Sequence, residues 1–276
     1  MSTKLSSSTG KIGVLDSGVG GLSVLREIHA LLPDVPTLYF ADQKNVPYGP
    51  RPPHEIRQFI EAITRFLIDQ GAVTVVIACN SASAAGLKHL RILHPEIPIV
   101  GMEPAVKPAV EASKSGVIGV LTTQATANGT LYRNLLERFS PWAKIITQVA
   151  PELVRIAEAG CKDTPDNRQI ILNYVQPMID QGADQIALAC THFPFLKTMI
   201  HNIVGSGVNL IDNGPAVARQ VAKVLPRDKV DLSIQNTEHR YYTSGSAEHL
   251  QTMLQTLINV DTSVTALPDL QFYSRA

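Results

Sequence analysis

The 276-residue sequence has little charge, since Asp, Glu, Lys and Arg make up only 17% of it. Its 24 basic and 24 acidic residues cancel, so the formal net charge is zero. Proteins that bind nucleic acid or an anionic membrane usually carry a basic surface, so this balance argues against both partners. Hydrophobic residues reach 45%, and the length favours two domains with substantial cores.

Long apolar runs are also missing, since none approaches the roughly 18 residues that cross a bilayer. Residues 1–10 are rich in Ser and Thr and lack an apolar segment, so they predict a disordered tail rather than a signal peptide. The three cysteines are too few for a disulfide framework and favour a reducing compartment. We therefore expect a soluble cytoplasmic protein.

The glycine-rich pattern G-x-G-x-x-G of dinucleotide-binding turns does not occur. The first glycine-rich segment, 16–21, instead follows a short apolar strand and precedes a helical pattern. Its backbone N–H groups would suit a carboxylate or a phosphate, while Asp16 could equally cap the turn. A proline-dense loop, 41–53, follows the second predicted strand and either shapes a site or connects two elements rigidly.

Two apolar strands each end in a cysteine that is followed by hydrogen-bonding side chains. An amide and a hydroxyl follow Cys79, and a hydroxyl and an imidazole follow Cys190. These strands belong to an internal repeat of about a hundred residues. The matched segments are Ile12-Gly-Val-Leu-Asp-Ser with Ile118-Gly-Val-Leu-Thr-Thr, Ile77-Ala-Cys-Asn-Ser with Leu188-Ala-Cys-Thr-His, and Pro104-Ala-Val with Pro215-Ala-Val.

The repeat predicts two pseudo-symmetric, doubly wound parallel-sheet α/β domains of the flavodoxin-like type. We place the first domain at 11–104 plus 215–276 and the second at 105–214. Ligands of open parallel sheets bind outside the carboxyl ends of the strands. Asp16, Cys79 and Cys190 should therefore converge on a cleft between the domains.

Two thiols facing one cleft suit inversion at a carbon that carries an acidic proton, because one face loses a proton while the other regains it. The reference pKa of a thiol is about 8.5, and lowering it to about 7 takes roughly 2 kcal/mol. Helix N-termini after Cys79 and Cys190 should supply part of this stabilisation.

Other interpretations of the cysteines stay open. A cysteine after an apolar strand is often an inert core residue. A redox pair conflicts with thiols that flank a reacting carbon, since these stand too far apart for a disulfide. A zinc site of Cys79, Cys190 and His192 lacks the usual C-x-x-C or H-x-x-x-H spacing. Cys161 has no partner in the repeat and receives no role.

An ordered set of motifs closely resembles glutamate racemase, of the aspartate/glutamate racemase family. These motifs are Leu15-Asp-Ser-Gly-Val-Gly-Gly-Leu, Asn45-Val-Pro-Tyr-Gly, Ile77-Ala-Cys-Asn-Ser-Ala, Leu188-Ala-Cys-Thr-His-Phe-Pro and Ile211-Asp-Asn-Gly. The resemblance implies an isomerase that interconverts L- and D-glutamate without pyridoxal phosphate, metal or other cofactor, and that supplies D-glutamate for peptidoglycan. A homodimer is compatible with it.

The resemblance also implies residue roles. Cys79 would act on the Cα proton of D-glutamate and Cys190 on that of L-glutamate. Asp16 would assist Cys79 and meet the substrate amine, His192 would assist Cys190, and Glu158 would match an additional acid near the second cysteine. The implied substrate-binding residues, acting through hydroxyls, amides and backbone N–H groups, are Asp16, Ser17, Pro47, Tyr48, Gly49, Asn80, Ser81, Thr191 and His192.

Two positions depart from the family pattern: Ser81 replaces a more usual threonine, and Ala150 stands where a cysteine is common. His192 could also be a structural residue of the cleft wall. Two further functions stay open, a racemase of aspartate or another acidic amino acid, and a non-catalytic amino-acid-binding protein with the same cleft.

Overall fold

A computed structural model describes residues 9–231 and 238–269 of the chain. Its strands are β1 Lys11–Asp16, β2 Thr37–Ala41, β3 Ala72–Ile77, β4 Ile99–Gly101, β5 Val117–Thr122, β6 Lys144–Val149, β7 Gln185–Ala189, β8 Asn209–Ile211, β9 Arg240–Thr243 and β10 Val264–Ala266. Its α-helices are α1 Leu22–Leu31, α2 Pro53–Asp69, α3 Asn80–Leu93, α4 Val106–Ala112, α5 Gln124–Asn128, α6 Thr130–Phe139, α7 Pro151–Glu158, α8 Pro165–Ile179, α9 Lys197–Val204, α10 Gly214–Val224 and α11 Ala247–Ile258. Short 3₁₀ turns occur at Phe193–Leu196 and Arg227–Lys229.

The strands form two parallel sheets. The first has the order β10-β9-β2-β1-β3-β4, and the second has the order β6-β5-β7-β8. The β2-β1-β3-β4 part of the first sheet and the whole second sheet share one topology, which agrees with the internal repeat. The predicted α/β fold class with two doubly wound domains is confirmed. The strand β10 is an addition that the sequence analysis does not predict.

The central strands read as continuous apolar runs because helices cover both faces of each sheet. In β1, Val14 packs in one core cluster with Leu25 of α1. Its neighbour Leu15 points to the opposite face and packs with Ile56 of α2. Among the described residues, no helix is both long and apolar enough to cross a membrane.

The chain crosses between the sheets twice. It leaves the first sheet after β4, builds β5 to β8 into the second sheet, and returns through α10, which packs against α1. Strands β9 and β10 then extend the first sheet beside β2. The domain limits at 104/105 and 214/215 stay a prediction.

The periodicity of one segment predicts a single helix, which the structure interrupts at a glycine. A single helix is expected over about 126–139, but Gly129 adopts an extended conformation, with φ −71° and ψ 143°, between α5 and α6. A Cβ on Gly129 would lie 2.9 Å from the Cβ of Ala84 on α3. Glycine therefore allows the chain to pass close to α3 at this break.

Residues 1–8 of the predicted N-terminal tail lie outside the described residues. Gly10, at the end of that predicted tail, is buried, and its N–H donates a hydrogen bond of 2.8 Å to the carbonyl of Lys229. Gly10 is therefore part of the fold, and the prediction of a disordered tail is wrong at this residue.

Candidate active site

A cavity of about 540 Å³ is bounded by the carboxyl ends of strands from both sheets. Its lining residues are Ser17, Pro47, Tyr48, Gly49, Pro50, Cys79, Asn80, Ser81, Thr123, Gln124, Val149, Pro151, Val154, Arg155, Cys190, Thr191 and His192. All predicted site residues lie in this wall except Asp16 and Glu158. Such a concave, mostly apolar site with a few polar groups is typical of small-molecule binding.

Cys79 sits at the junction of β3 and α3, where it forms the N-cap of the helix. Its Sγ accepts a hydrogen bond of 3.5 Å from the N–H of Ala82 and lies 3.9 Å from Ser17 Oγ. Burial, followed by the charge of Asp16, raises the pKa of the Cys79 thiol despite the hydrogen bond from Ala82. The helix N-terminus is present as expected, but Cys79 is held as a thiol.

Cys190 has a different environment. The predicted helix at this strand end begins as the 3₁₀ turn Phe193–Leu196, and α9 starts only at Lys197. A helical segment therefore follows Cys190 as expected, but its first turn is 3₁₀ rather than α-helical. Positive charge also comes from His192, whose Nδ1 lies 3.6 Å from the Cys190 sulfur.

His192 and Glu158 form a buried pair, with 2.6 Å between Nε2 and Oε1. Burial alone would lower the pKa of His192, but its hydrogen bonds to Cys190 and Glu158 raise it well above its usual value. Burial opposes ionisation of Glu158 as well, yet the contact with His192 lowers the pKa of that carboxyl group. The resulting imidazolium stabilises negative charge on the neighbouring sulfur.

Glu158 therefore contacts His192 rather than Cys190, and the glycine-rich turn after β1 holds it in place. The N–H of Val19 donates to Glu158 Oε1 at 2.9 Å. A Cβ on Gly18 would come within 2.0 Å of the same oxygen, so a larger residue there would displace the Glu158 carboxylate. The turn was expected to present N–H groups to a ligand, but this N–H binds a carboxylate of the protein itself.

Asp16 lies behind the cavity wall and has no exposed surface. Its Oδ1 accepts from the N–H of Gly18 at 2.7 Å, and its Oδ2 accepts from Thr191 Oγ1 at 3.1 Å. Burial raises the pKa of Asp16 to about 6, although the charge of His192 opposes the shift. Asp16 thus contacts the lining residue Thr191 across the two sheets and does not itself line the cavity.

The predicted binding groups differ in whether their side chains already have hydrogen-bond partners within the protein. Among the described residues, the side-chain amide of Asn80 is buried without a hydrogen-bond partner and lines the cavity, as expected of a ligand-binding group. Ser81 Oγ shares a hydrogen bond of 2.9 Å with Thr123 Oγ1. The hydroxyl of Tyr48 donates to Asp42 at 2.6 Å, so it is already engaged within the protein.

Thr123 was not predicted as a site residue, although the internal repeat contains the signal that identifies it. The matched segments that begin at Ile12 and Ile118 align Thr123 with Ser17, and both residues line the cavity. Arg155 is also a lining residue that was not predicted; its side chain is 72% exposed and pairs with Glu152 at 3.2 Å.

The alternative chemistries find little support in the described part of the chain. Cys79, Cys161 and Cys190 are free thiols. Within residues 9–231 and 238–269, no group of three or more His, Cys, Asp or Glu side chains is arranged to hold a metal ion. Cys161 is half-buried outside the cavity, and burial raises its pKa to about 11.

Comparisons with known proteins agree with the fold. The family model Asp/Glu/Hydantoin racemase matches residues 12–221. Glutamate racemase of Ectopseudomonas mendocina is 44% identical over 260 residues, 94% of this chain and 99% of that protein. The protein of the same name from Pseudomonas entomophila is 45% identical over 257 residues, 93% of this chain and 97% of that one.

Solved structures of glutamate racemases have a similar fold. A glutamate racemase isoform from Bacillus anthracis superimposes with a TM-score of 0.84 at 30% identity, over 94% of this chain and 97% of its own. Escherichia coli glutamate racemase in complex with L-glutamate gives a TM-score of 0.83 at 30% identity, over 94% and 98% of the two chains.

Proposed function

The chain belongs to the Asp/Glu/Hydantoin racemase family, and we propose that it interconverts L- and D-glutamate through proton transfers at Cys79 and Cys190. The resemblance to glutamate racemase is confirmed, because relatives of that name match over nearly the whole chain. The enzyme class, an isomerase, follows from this membership. We propose glutamate as the substrate because a similar solved structure, that from Escherichia coli, contains L-glutamate.

One observation carries the mechanism: two thiols, one from each sheet, line a single cavity in unlike electrostatic surroundings. Cys79 is held as a thiol by burial and by the charge of Asp16. Cys190 lies beside the cationic ring of His192, which stabilises a thiolate. One group is thus ready to donate a proton and the other to accept one.

L-Glutamate reacts when its Cα lies between the two sulfurs. The Cys190 thiolate takes the Cα proton, and Cys79 delivers its own proton to the opposite face of the carbon. One C–H bond breaks and one forms, so the substrate is inverted and the two thiols exchange protonation states. His192 and Glu158 hold the charge at Cys190 before the transfer.

D-Glutamate follows the reverse sequence, with Cys79 as the base. The ionised Asp16 disfavours a thiolate at Cys79, so that thiolate is strongly basic once it forms. A strong base is what removal of a weakly acidic Cα proton requires. Asp16 therefore assists Cys79 through its charge and not through a direct contact with the cavity.

The polar groups of the cleft wall would bind the two carboxylates and the ammonium group. The unpartnered amide of Asn80 offers both a donor and an acceptor. The hydroxyls of Ser17, Ser81 and Thr191 and the backbone around Gly49 line the same cavity. These neutral donors account for binding of a dicarboxylate by a protein without net charge.

The mechanism predicts that Cys79→Ala and Cys190→Ala each lower racemisation by roughly 10²- to 10⁴-fold, the usual contribution of an acid/base group. Chiral chromatography of both enantiomers after incubation with each variant measures the loss. Cys161→Ala is the matched control and should retain full activity, since Cys161 lies outside the cavity. Unchanged activity in either cleft variant would contradict the mechanism.

The same assay separates the other functions. A racemase of aspartate or of another acidic amino acid would turn over that substrate faster than glutamate. A binding protein would bind glutamate in a calorimeter without inverting it.

We further propose a cytoplasmic role in supplying D-glutamate for peptidoglycan. The homodimer stays a prediction that sedimentation analysis can test.

A further inference from the structure

A buried polar cluster lies behind the part of the cavity wall that Tyr48 and Gly49 form. We define this Asp42 cluster as Asp42, Asn45, Tyr48 and Ser244. The Tyr48 hydroxyl donates to Asp42 Oδ2 at 2.6 Å, and the Ser244 hydroxyl donates to Asp42 Oδ1 at 2.6 Å. The side-chain amide of Asn45 donates to both carboxyl oxygens at 3.0 Å. All four side chains are less than a tenth exposed.

Ser244 brings a distant part of the chain to this cluster, since it follows β9, 202 residues after Asp42. Its hydroxyl accepts from the N–H of Lys44 at 3.0 Å, and its own N–H donates to the carbonyl of Ala41 at 3.1 Å. The loop that leads from β2 to Tyr48 is therefore bound to the C-terminal segment by backbone and side-chain hydrogen bonds.

The cluster fixes the position of Tyr48 strongly. A buried carboxyl group is costly unless it is fully hydrogen-bonded, so each donor that Asp42 loses destabilises the arrangement. Tyr48 is only 1% exposed, and its ring packs against Phe59 with 5.8 Å between the centroids. Neither Asp42 nor Ser244 lines the cavity. Any effect of these two residues on substrate must pass through the loop that they hold, whose residues Pro47, Tyr48 and Gly49 line the cavity.

We propose that Asp42 and Ser244 are positioning residues that hold the backbone of Tyr48 and Gly49 in place for substrate binding. This inference rests on the proposed glutamate racemase function, in which that backbone binds a carboxylate. It also gives the strand β9 and the turn after it a role in the site, which the sequence analysis did not assign.

Ser244→Ala tests the proposal with a small, shape-preserving change. We expect KM to rise roughly 2- to 10-fold for both enantiomers, the effect of one hydrogen bond, while kcat stays within about twofold. Ser113→Ala is the matched control, because Ser113 Oγ also donates to a carboxylate, Asp184 Oδ1, at 2.6 Å. Asp184 precedes β7, so that bond lies at the end of the sheet away from the cavity.

A double-mutant cycle shows whether Tyr48 transmits the effect. Tyr48→Phe removes the hydroxyl that reaches Asp42 and should also raise KM. Combining Tyr48→Phe with Ser244→Ala should then add little further, because the connection is already broken. Asp42→Asn should give the largest rise in KM, and circular dichroism verifies the folding of each variant.

Three results would overturn the proposal: an unchanged KM in Ser244→Ala, an equal rise in Ser113→Ala, or full additivity in the cycle. Should Asp42→Asn fail to fold, the Ser244 and Tyr48 variants decide the outcome. Failure of the proposed function is distinguishable, because the unmodified protein would then not racemise glutamate at all.

Discussion

At the residue scale, the two thiols differ because their neighbours differ. Asp16 borders Cys79, and a cationic His192 borders Cys190. This asymmetry lowers the stability of the fold at Asp16, because burial raises the pKa of its carboxyl group to about 6. The negative charge of Asp16, which makes Cys79 a strong base, therefore lowers the stability of the folded protein.

Asp16→Asn tests this cost. The pKa of Asp16 is about 6 in the folded protein, compared with an ordinary value of 3.8 for an aspartate side chain. Between these values the folded state binds more protons than the unfolded state, so the contribution of Asp16 is fully present below about pH 4 and is lost as the pH rises through 6. At pH 7.5 the loss is about 3 kcal/mol.

Asparagine cannot ionise, but it can retain the contacts with Gly18 and Thr191. We therefore expect Asp16→Asn to gain stability relative to the unmodified protein as the pH rises from 4 to 7.5, while racemisation falls. Urea unfolding at both pH values measures the difference in the free energy of unfolding. A difference that does not change with pH would show that Asp16 ionises without cost.

At the element scale, the glycine-rich turn between β1 and α1 packs closely against the residues that follow Cys190. A Cβ on Gly20 would lie 2.4 Å from His192 Nδ1 and 2.7 Å from Thr191 Oγ1. Both neighbours are buried and have little room to move. The turn therefore brings the start of α1 against the residues that follow Cys190.

Gly20→Ala should displace His192 from Cys190 and lower kcat by roughly 100-fold, the typical effect of an error of about 1 Å in a catalytic group. Steady-state kinetics with L-glutamate measures this loss, and circular dichroism should show an intact fold. Gly207→Ala is the control, because a Cβ there meets nothing within 4 Å. Equal activity of the two variants would mean that the turn does not position His192.

Strand ends were predictable from the sequence because each apolar run stops where a polar group must reach the cleft. This is how Cys79 and Cys190 were located, and repeat matching could also have located Thr123. The partner of Glu158 was not predictable, since its contacts with Val19 and His192 join segments that only the tertiary fold brings together.

Two predicted helices differ from the structure in their local backbone conformation. Periodicity over 126–139 does not reveal the break at Gly129, because the reason for it is the approach to α3. The residues after Cys190 resemble a helix start, yet the chain forms a 3₁₀ turn before α9. At Gly129 a tertiary contact, rather than propensity, determines the backbone.

At the scale of the whole molecule, the repeat explains why the site lies where it does. Both sheets contain the same four-strand order, and each contributes one cysteine after a corresponding strand, β3 or β7. The cavity exists only because both sheets face it. Inversion of one carbon by two groups is the chemistry that such a duplicated arrangement favours.

Deuterium incorporation during the first turnovers tests this two-thiol account most directly. L-Glutamate is incubated with the enzyme in heavy water, stopped at low conversion, separated by chirality and analysed by mass spectrometry. The account predicts D-glutamate with deuterium at Cα and remaining L-glutamate without it, because the new proton comes from the opposite thiol. D-Glutamate that retains the original Cα hydrogen would show that one group moves the proton between faces, and would contradict the account.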